Sequence, residues 1–319
     1  MAGEFDLIAR HFDWPVPEGS LGVGDDCALL PVTPGYRLAV TTDLLVEGVH
    51  FFSDVDPEAL GHKALAVNVS DLAAMGARPL GCVLGLSLPS VDDVWLAGFA
   101  GGFKALADTV RCPLVGGDTT RSPQGIVISV TAMGELPETG ALMRSAARVG
   151  DDVWVTGALG AAHLALEILQ GRHAALVSLL DSVRPQLERP QPPVAFGAAL
   201  GGLAHAAIDI SDGLLQDLGH ILKASGCGAE LDYRRLPVHP SLHSVDAAVT
   251  QRAVLNGGDV YQLCFTAPPE ARSAVVELAE RHGVQATRIG HVVAGSGLNV
   301  AHCPVPLAAD GYSGFDHFG

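Results

Sequence analysis

The chain switches repeatedly between a helical and a strand-like period of apolar residues, and the switches lay out its elements. Phe5, Ile8 and Phe12 recur at helical spacing and predict a short amphipathic helix. The apolar, β-branched run 38–42 predicts a strand that ends in Asp43 and so delivers a carboxylate at its C-terminal end. Residues 57–75 follow as a helix, opened by Pro57 and closed by Gly76 with Pro79 beyond, and Asp71 lies on it. Next come a strand at 82–88, a helix at 91–109, a short strand at 113–115 and a β-rich strand at 126–133. The stretch 137–150 has few periodic apolar positions and is the linker candidate. Beyond it the pattern predicts a strand at 152–156, helices at 158–170, 174–187 and 193–204, a strand at 205–210 and a helix from near Asp212 to about Ala224. Strands at 261–266 and 286–293 flank a helix at 269–282. This order predicts an α/β (α+β) protein of two mixed α/β domains, 1–137 and 138–319.

At 319 residues and 48% hydrophobic content the chain has material for two cores. Its net charge of −16 with only 17% charged residues is a poor match to nucleic-acid or anionic-membrane binding. Lysine occurs only at Lys63, Lys104 and Lys223, so a phosphate ligand would be met by metal and a few arginines. The six cysteines are scattered, with no C-x-x-C pair and no zinc spacing, and read as reduced thiols of a cytoplasmic protein. Glu4 and Asp6 stand where a signal peptide would carry basic residues, and no apolar run reaches membrane-spanning length.

Against that background the aspartates are placed unusually. Gly24-Asp25-Asp26, Thr41-Thr42-Asp43, Asn68-Val69-Ser70-Asp71, Gly116-Gly117-Asp118-Thr119-Thr120 and Asp209-Ile210-Ser211-Asp212-Gly213 each set carboxylates beside glycine or a hydroxyl. Two unit charges about 4 Å apart repel by roughly 4 kcal/mol at an effective dielectric near 20, so a converged cluster requires cations. Oxygen-only donors favour a hard ion such as Mg²⁺ over zinc. Taken singly, each motif also reads as a turn or a helix cap. No P-loop, nucleophile elbow, H-E-x-x-H helix or G-x-G-x-x-G turn is present, which leaves metal and backbone to handle phosphate. In Gly116-Gly117-Asp118-Thr119-Thr120-Arg121 the glycines would admit phosphate oxygens to backbone N–H groups and Asp118 would hold a metal. The same 47-residue interval separates Asp71 from Asp118 and Asp212 from Asp259 in the second Gly-Gly-Asp, and this makes an internal duplication a candidate.

Together with Val46-Glu47-Gly48-Val49-His50-Phe51, the segment 61–76 and Gly314-Phe315-Asp316-His317-Phe318, these motifs resemble the thiamine-monophosphate kinase family over nearly the whole chain. Gly-Gly-Asp and Asp-x-Ser-Asp-Gly are shared more widely, with aminoimidazole ribonucleotide synthetase and selenophosphate synthetase. A sister synthetase, or a metal-binding protein without turnover, is therefore the alternative. The resemblance implies an ATP-dependent kinase of thiamine monophosphate that uses several Mg²⁺ ions. It also implies a homodimer whose N-terminal domains pair their sheets into a β-barrel, with the second domain completing the active-site cleft. Carried over by matching position, it implies Asp26, Thr41, Thr42, Asp43, Asp71, Asp118, Asp209 and Asp212 as metal ligands. Gly117, Asp118, Arg144 and Ser211 would contact ATP, and His50, Asp259 and Phe315 would line the thiamine-phosphate site. Asp43, Asp71, Asp118 and Arg144 are the implied catalytic groups. The family usually reads Gly-Gly-Glu-Asp-Tyr-Glu-Leu where this chain has Gly257-Gly258-Asp259-Val260-Tyr261-Gln262-Leu263.

Overall fold

A computed structural model describes residues 4–23, 27–174 and 177–306. The chain divides into two compact units, 1–72 with 77–139, and 73–76 with 140–319.

The first unit opens with α1 (Glu4–His11), β1 (Tyr36–Val46) and α2 (Pro57–Ala74), the last two residues of α2 and the two after it, 73–76, being counted with the second unit. It continues with β2 (Arg78–Leu88), α3 (Asp93–Val110), β3 (Leu114–Arg121) and β4 (Val127–Pro137). Its four strands lie in the order β1-β4-β2-β3, antiparallel except for the parallel β2–β3 pair. The pleat sends alternate residues to opposite faces. Cys82, Leu84, Leu86 and Leu88 of β2 and Ile128, Val130 and Ala132 of β4 are buried on one face, together with the core residues Leu65, Val69, Phe99 and Phe103 of the helices. On the other face of β1, Leu38, Val40 and Leu44 are 51%, 59% and 59% exposed. Asp92 caps α3, its carboxylate accepting from the N–H groups of Val94 and Trp95.

The second unit contains β5 (Asp152–Thr156), α4 (Ala161–Leu169), α5 (Val177–Glu188), α6 (Val194–Ala199), β6 (Ala206–Asp209) and α7 (Leu214–Ser225). After these come β7 (Gly228–Asp232), α8 (Ala247–Asn256), β8 (Leu263–Ala267), α9 (Arg272–His282), β9 (Ala286–Val293) and β10 (Gly297–Ala301). The six strands run β10-β7-β9-β5-β8-β6, with only β10–β7 parallel. At the start of β5 the buried Asp152 binds Arg272 at 2.5 and 2.9 Å and Arg288 at 3.1 Å.

Three expectations change. β1 runs on to Val46, so Asp43 lies inside the strand and not at its end. The Gly116–Arg121 motif is strand β3 rather than a turn after a shorter strand. The candidate duplication fails on its own motifs: Asp71 is inside helix α2 and Asp118 inside strand β3, whereas Asp212 and Asp259 both sit in loops.

Candidate functional site

In the first unit the register sets Thr41 opposite Ala132 and Asp43 opposite Val130, both buried, so Thr41 and Asp43 face the helices. There the Asp43 backbone N–H donates to Asn68 Oδ1 at 3.1 Å, and the Thr41 hydroxyl donates to Asp71 Oδ2. Asn68 and Asp71 share a helix face because they are three residues apart on α2. Asn68 is itself fixed, its amide donating to Ala64 O at 3.2 Å. Burial pushes the Asp43 carboxyl up to about 6, and the charge of Asp71 adds to the rise. Two carboxylates with a hydroxyl and an amide oxygen form an oxygen-only donor set. Such a set fits a hard divalent cation.

The other motif residues of this unit do not all join that pair. Strand alternation turns Thr42 to the opposite face, where its hydroxyl donates to Val130 O at 3.1 Å and accepts from Thr131 Oγ1 at 3.0 Å. Its side chain is therefore not with Thr41 and Asp43. Asp118 lies on the far edge of the sheet, in the row Leu44–Ser129–Gly85–Asp118. Three strand spacings of about 4.8 Å put it roughly 14 Å from β1, so it cannot share an ion with Asp43 within one sheet. Gly117 occupies the adjacent row, aligned through Leu84 and Val130 with Asp43. Among the described residues no three Asp, Glu, His or Cys side chains gather as a metal cage. His50 is half-buried, and its Nδ1 accepts the Val46 N–H at 3.0 Å, which leaves Nε2 as the protonated nitrogen. Lys63 Nζ donates to His50 O at 3.3 Å, and Glu47 accepts the Ile126 N–H at 2.9 Å, so the turn after β1 is held from both sides. Asp26 and Phe315 lie outside the described residues.

In the second unit two motif loops are zipped together. Asp259 N–H donates to Ser211 O at 2.8 Å, Tyr261 N–H to Ile210 O at 2.8 Å, and Ile210 N–H to Gln262 O at 2.7 Å. A Cβ on Gly258 would stand 2.3 Å from Ser211 O, so only glycine permits the approach. Gly213, at φ 130°, faces Asn256 O at 2.6 Å in the same way. Asp259 and Tyr261 take left-handed φ values of 60° and 52°, a conformation that bulky residues adopt only where their surroundings enforce it. Asp209 is buried at the end of β6, and Ser211, Asp212 and Asp259 are half-buried beyond it.

Sequence reasoning missed Asp217, whose Oδ2 accepts the N–H groups of Ser211, Asp212 and Gly213 at 3.1, 3.1 and 3.0 Å. Burial and the charge of Asp212 push this carboxyl up to about 7 against those three bonds. The available signal was an acidic residue in the first turn of the helix that follows the motif. Gln262, where the family usually has Glu, accepts from Thr156 Oγ1 at 2.8 Å and donates to Gln191 O at 2.7 Å. Exposed Arg144 opens a short 3-10 turn, its carbonyl accepting from Ser225 Oγ at 2.8 Å at the C-terminal end of α7. The loop 211–213 lies at the other end of that 12-residue helix.

Comparison with known proteins places the fold and the family. Residues 24–136 match the AIR synthase related protein, N-terminal domain, and residues 148–303 its C-terminal domain. Thiamine-monophosphate kinase of Salmonella typhimurium is 44% identical over 99% of this chain and 98% of the relative. The crystal structure of thiamine-monophosphate kinase from Stenotrophomonas maltophilia K279a is 45% identical, with a TM-score of 0.84 over 89% of this chain and 92% of that one. The structure of AaThiL complexed with AMPPCP and TMP is 32% identical, with a TM-score of 0.77 over 91% of this chain and 90% of that one. By matched domains and by full-length identity, the chain belongs to the AIR synthase related proteins and, within them, to the thiamine-monophosphate kinase family.

Proposed function

We propose that this protein transfers the γ-phosphoryl group of ATP to thiamine monophosphate, giving thiamine diphosphate and ADP. An oxygen of the acceptor phosphate bonds to the γ-phosphorus as the bond to the bridging β–γ oxygen breaks, and the electron pair leaves with ADP. The acceptor is already ionised at neutral pH, so no general base is required; the task is to align two polyanions and to offset their repulsion. The observation that carries this reading is the Asp43–Asp71 pair with Thr41 hydrogen-bonded to it, a hard-cation site in a protein of family-wide kinase likeness. Bound Mg²⁺ would neutralise phosphate charge. Asp43, Asp71 and Thr41 would hold it in the first unit, and Asp209 and Asp212 in the second.

The remaining assignments follow the same reading. Asp26 and Asp118 add carboxylates, and Thr42 contributes through its main chain. Gly117, Asp118, Arg144 and Ser211 contact the nucleotide, while His50, Asp259 and Phe315 contact thiamine phosphate. The first domain carries metal binding and pairing, and two copies associate through the open face of β1, where Leu38, Val40 and Leu44 are exposed. We place the protein in the cytoplasm, where its free cysteines stay reduced, with no nucleic-acid or membrane partner. No helix of the described residues is long and apolar enough to cross a membrane, and the net charge of −16 repels polyanionic surfaces.

The test is product analysis of the purified protein with Mg²⁺, ATP and thiamine monophosphate, with free thiamine as control acceptor. Thiamine diphosphate formed from the monophosphate alone establishes the reaction. Absence of product while ATP still binds in a Mg²⁺-dependent way would reject it.

A further inference from the structure

We infer that Asp217 is a positioning residue that sets both motif loops of the second unit, the turn at 211–213 directly and the loop at 257–261 through the Ser211 peptide. Its carboxylate is 2% exposed and sits in the first turn of α7, held there by the Asp217 N–H bond to Gly213 O at 2.9 Å. One oxygen, Oδ2, gathers three successive N–H groups, those of Ser211, Asp212 and Gly213. Such a concave run of amides at a helix start would otherwise be open to an external phosphate or carboxylate. Here the chain fills it with its own carboxylate. The turn's N–H donors are thus committed inward and are not open to an external anion.

The second half of the inference comes from the Ser211 peptide. Its N–H is bound by Asp217 on one side, and its C=O accepts the Asp259 N–H at 2.8 Å on the other. The approach is tight, since Gly258 packs directly on Ser211 O. Displacing the 211–213 turn therefore displaces the peptide on which Asp259 hangs, and Asp259 itself is in a left-handed conformation. Asp217 consequently orients the proposed nucleotide-side residues and the proposed thiamine-side residue through one oxygen atom. The kinetic consequence rests on the proposed kinase reading, whereas the coupling of the two loops does not.

The test uses two variants of the full-length protein. Asp217→Asn keeps an oxygen acceptor and loses the charge; Asp217→Leu keeps the bulk and loses the acceptor. Amide hydrogen exchange is expected to quicken at Ser211, Asp212 and Gly213 and, in step, at Asp259 and Tyr261. The change should be about tenfold in the Asn variant and about 100-fold or more in the Leu variant. In steady-state kinetics KM for ATP and KM for thiamine monophosphate should rise together in Asp217→Leu and recover most of the way in Asp217→Asn. A misplacement of this kind is worth about 100-fold in kcat/KM. If Asp217→Leu does not fold, the Asn variant alone carries the exchange measurement. Faster exchange confined to 211–213, or a KM change for one substrate only, overturns the inference. Coupled exchange in a protein that makes no thiamine diphosphate would uphold the loop coupling and reject the kinase reading instead.

Discussion

Replacing Asp43 with asparagine should make the metal-free protein more stable while abolishing its use of Mg²⁺. Asp43 is carried from 3.8 in the unfolded chain to about 6 in the fold, by burial first and by the charge of Asp71 second. At about 1.4 kcal/mol per tenfold change in proton affinity, the ionised carboxylate costs the folded state about 3 kcal/mol at pH 8. The sign follows from proton binding. Between pH 4 and 6 the native state binds more protons than the unfolded one, so the stability contributed by this group is complete below about pH 4 and lost as pH rises through 6. Asparagine imitates the protonated form at every pH. Urea denaturation in EDTA should therefore show Asp43→Asn ahead of the parent by up to about 3 kcal/mol at pH 8, with the gap closing by pH 4. Adding Mg²⁺ should reverse the order, since a cation at one thousand times its dissociation constant stabilises only the protein that binds it, by about 4.1 kcal/mol. A variant less stable than the parent at pH 8 without metal, or a gap indifferent to pH, would refute the reasoning.

Asp43 and Asp118 lie on opposite edges of one sheet, so an equal mixture of inactive Asp43→Asn and Asp118→Asn protomers, refolded together, should regain about a quarter of the activity if one copy's Asp118 serves the other's Asp43. No recovery would assign both residues to the same chain's site. Burial opposes ionisation of Asp152, but the guanidinium bonds of Arg272 and then Arg288 outweigh it and hold the carboxyl below its usual range. The stability it contributes is present above about pH 4 and lost as pH falls below that, and Asp152→Ala should cost about 1–3 kcal/mol at pH 7 in chemical denaturation. Gln262→Glu, which restores the residue usual in the family, should destabilise by about 1–2 kcal/mol because a carboxylate cannot donate to Gln191 O. A neutral result in thermal unfolding would show that this amide bond does not matter.

The legible parts of the molecule were those where local pattern and tertiary environment agree. α2 announces itself by Pro57, its apolar filling and Gly76, and it ends within a residue of the expected place. β9 falls on 286–293 as expected. The strands Gly228–Asp232 and Gly297–Ala301 were not legible, because a single alternation, Ala229 with Leu231 or Leu298 with Val300, is too short in a five-residue segment opened by glycine to stand out from a loop, and the extension is owed to neighbouring strands. Helix Ala247–Asn256 was hidden by Val249, Thr250 and Val254, and its strongest marker is the Asp246 cap, which accepts from Ala248 and Val249. In the site, the chemistry of Asp43 and Asp71 was visible as motif. Their pairing required β1 and α2 to meet. The face taken by the Thr42 side chain was not legible because a motif string does not say which face of a strand each residue takes, and Asp217 escaped because it works through backbone N–H groups that no sequence displays.

Strand β1 is a two-sided element with incompatible contents: Thr41 and Asp43 turn to the charged pocket, while Leu38, Val40 and Leu44 turn to the open face. Inserting or deleting one residue inside it exchanges the two sets, burying a carboxylate among aliphatic side chains and pushing leucine into the charged pocket at the same time. Point substitutions there can be graded, but length changes cannot. Across natural variation this strand should therefore keep its length unchanged.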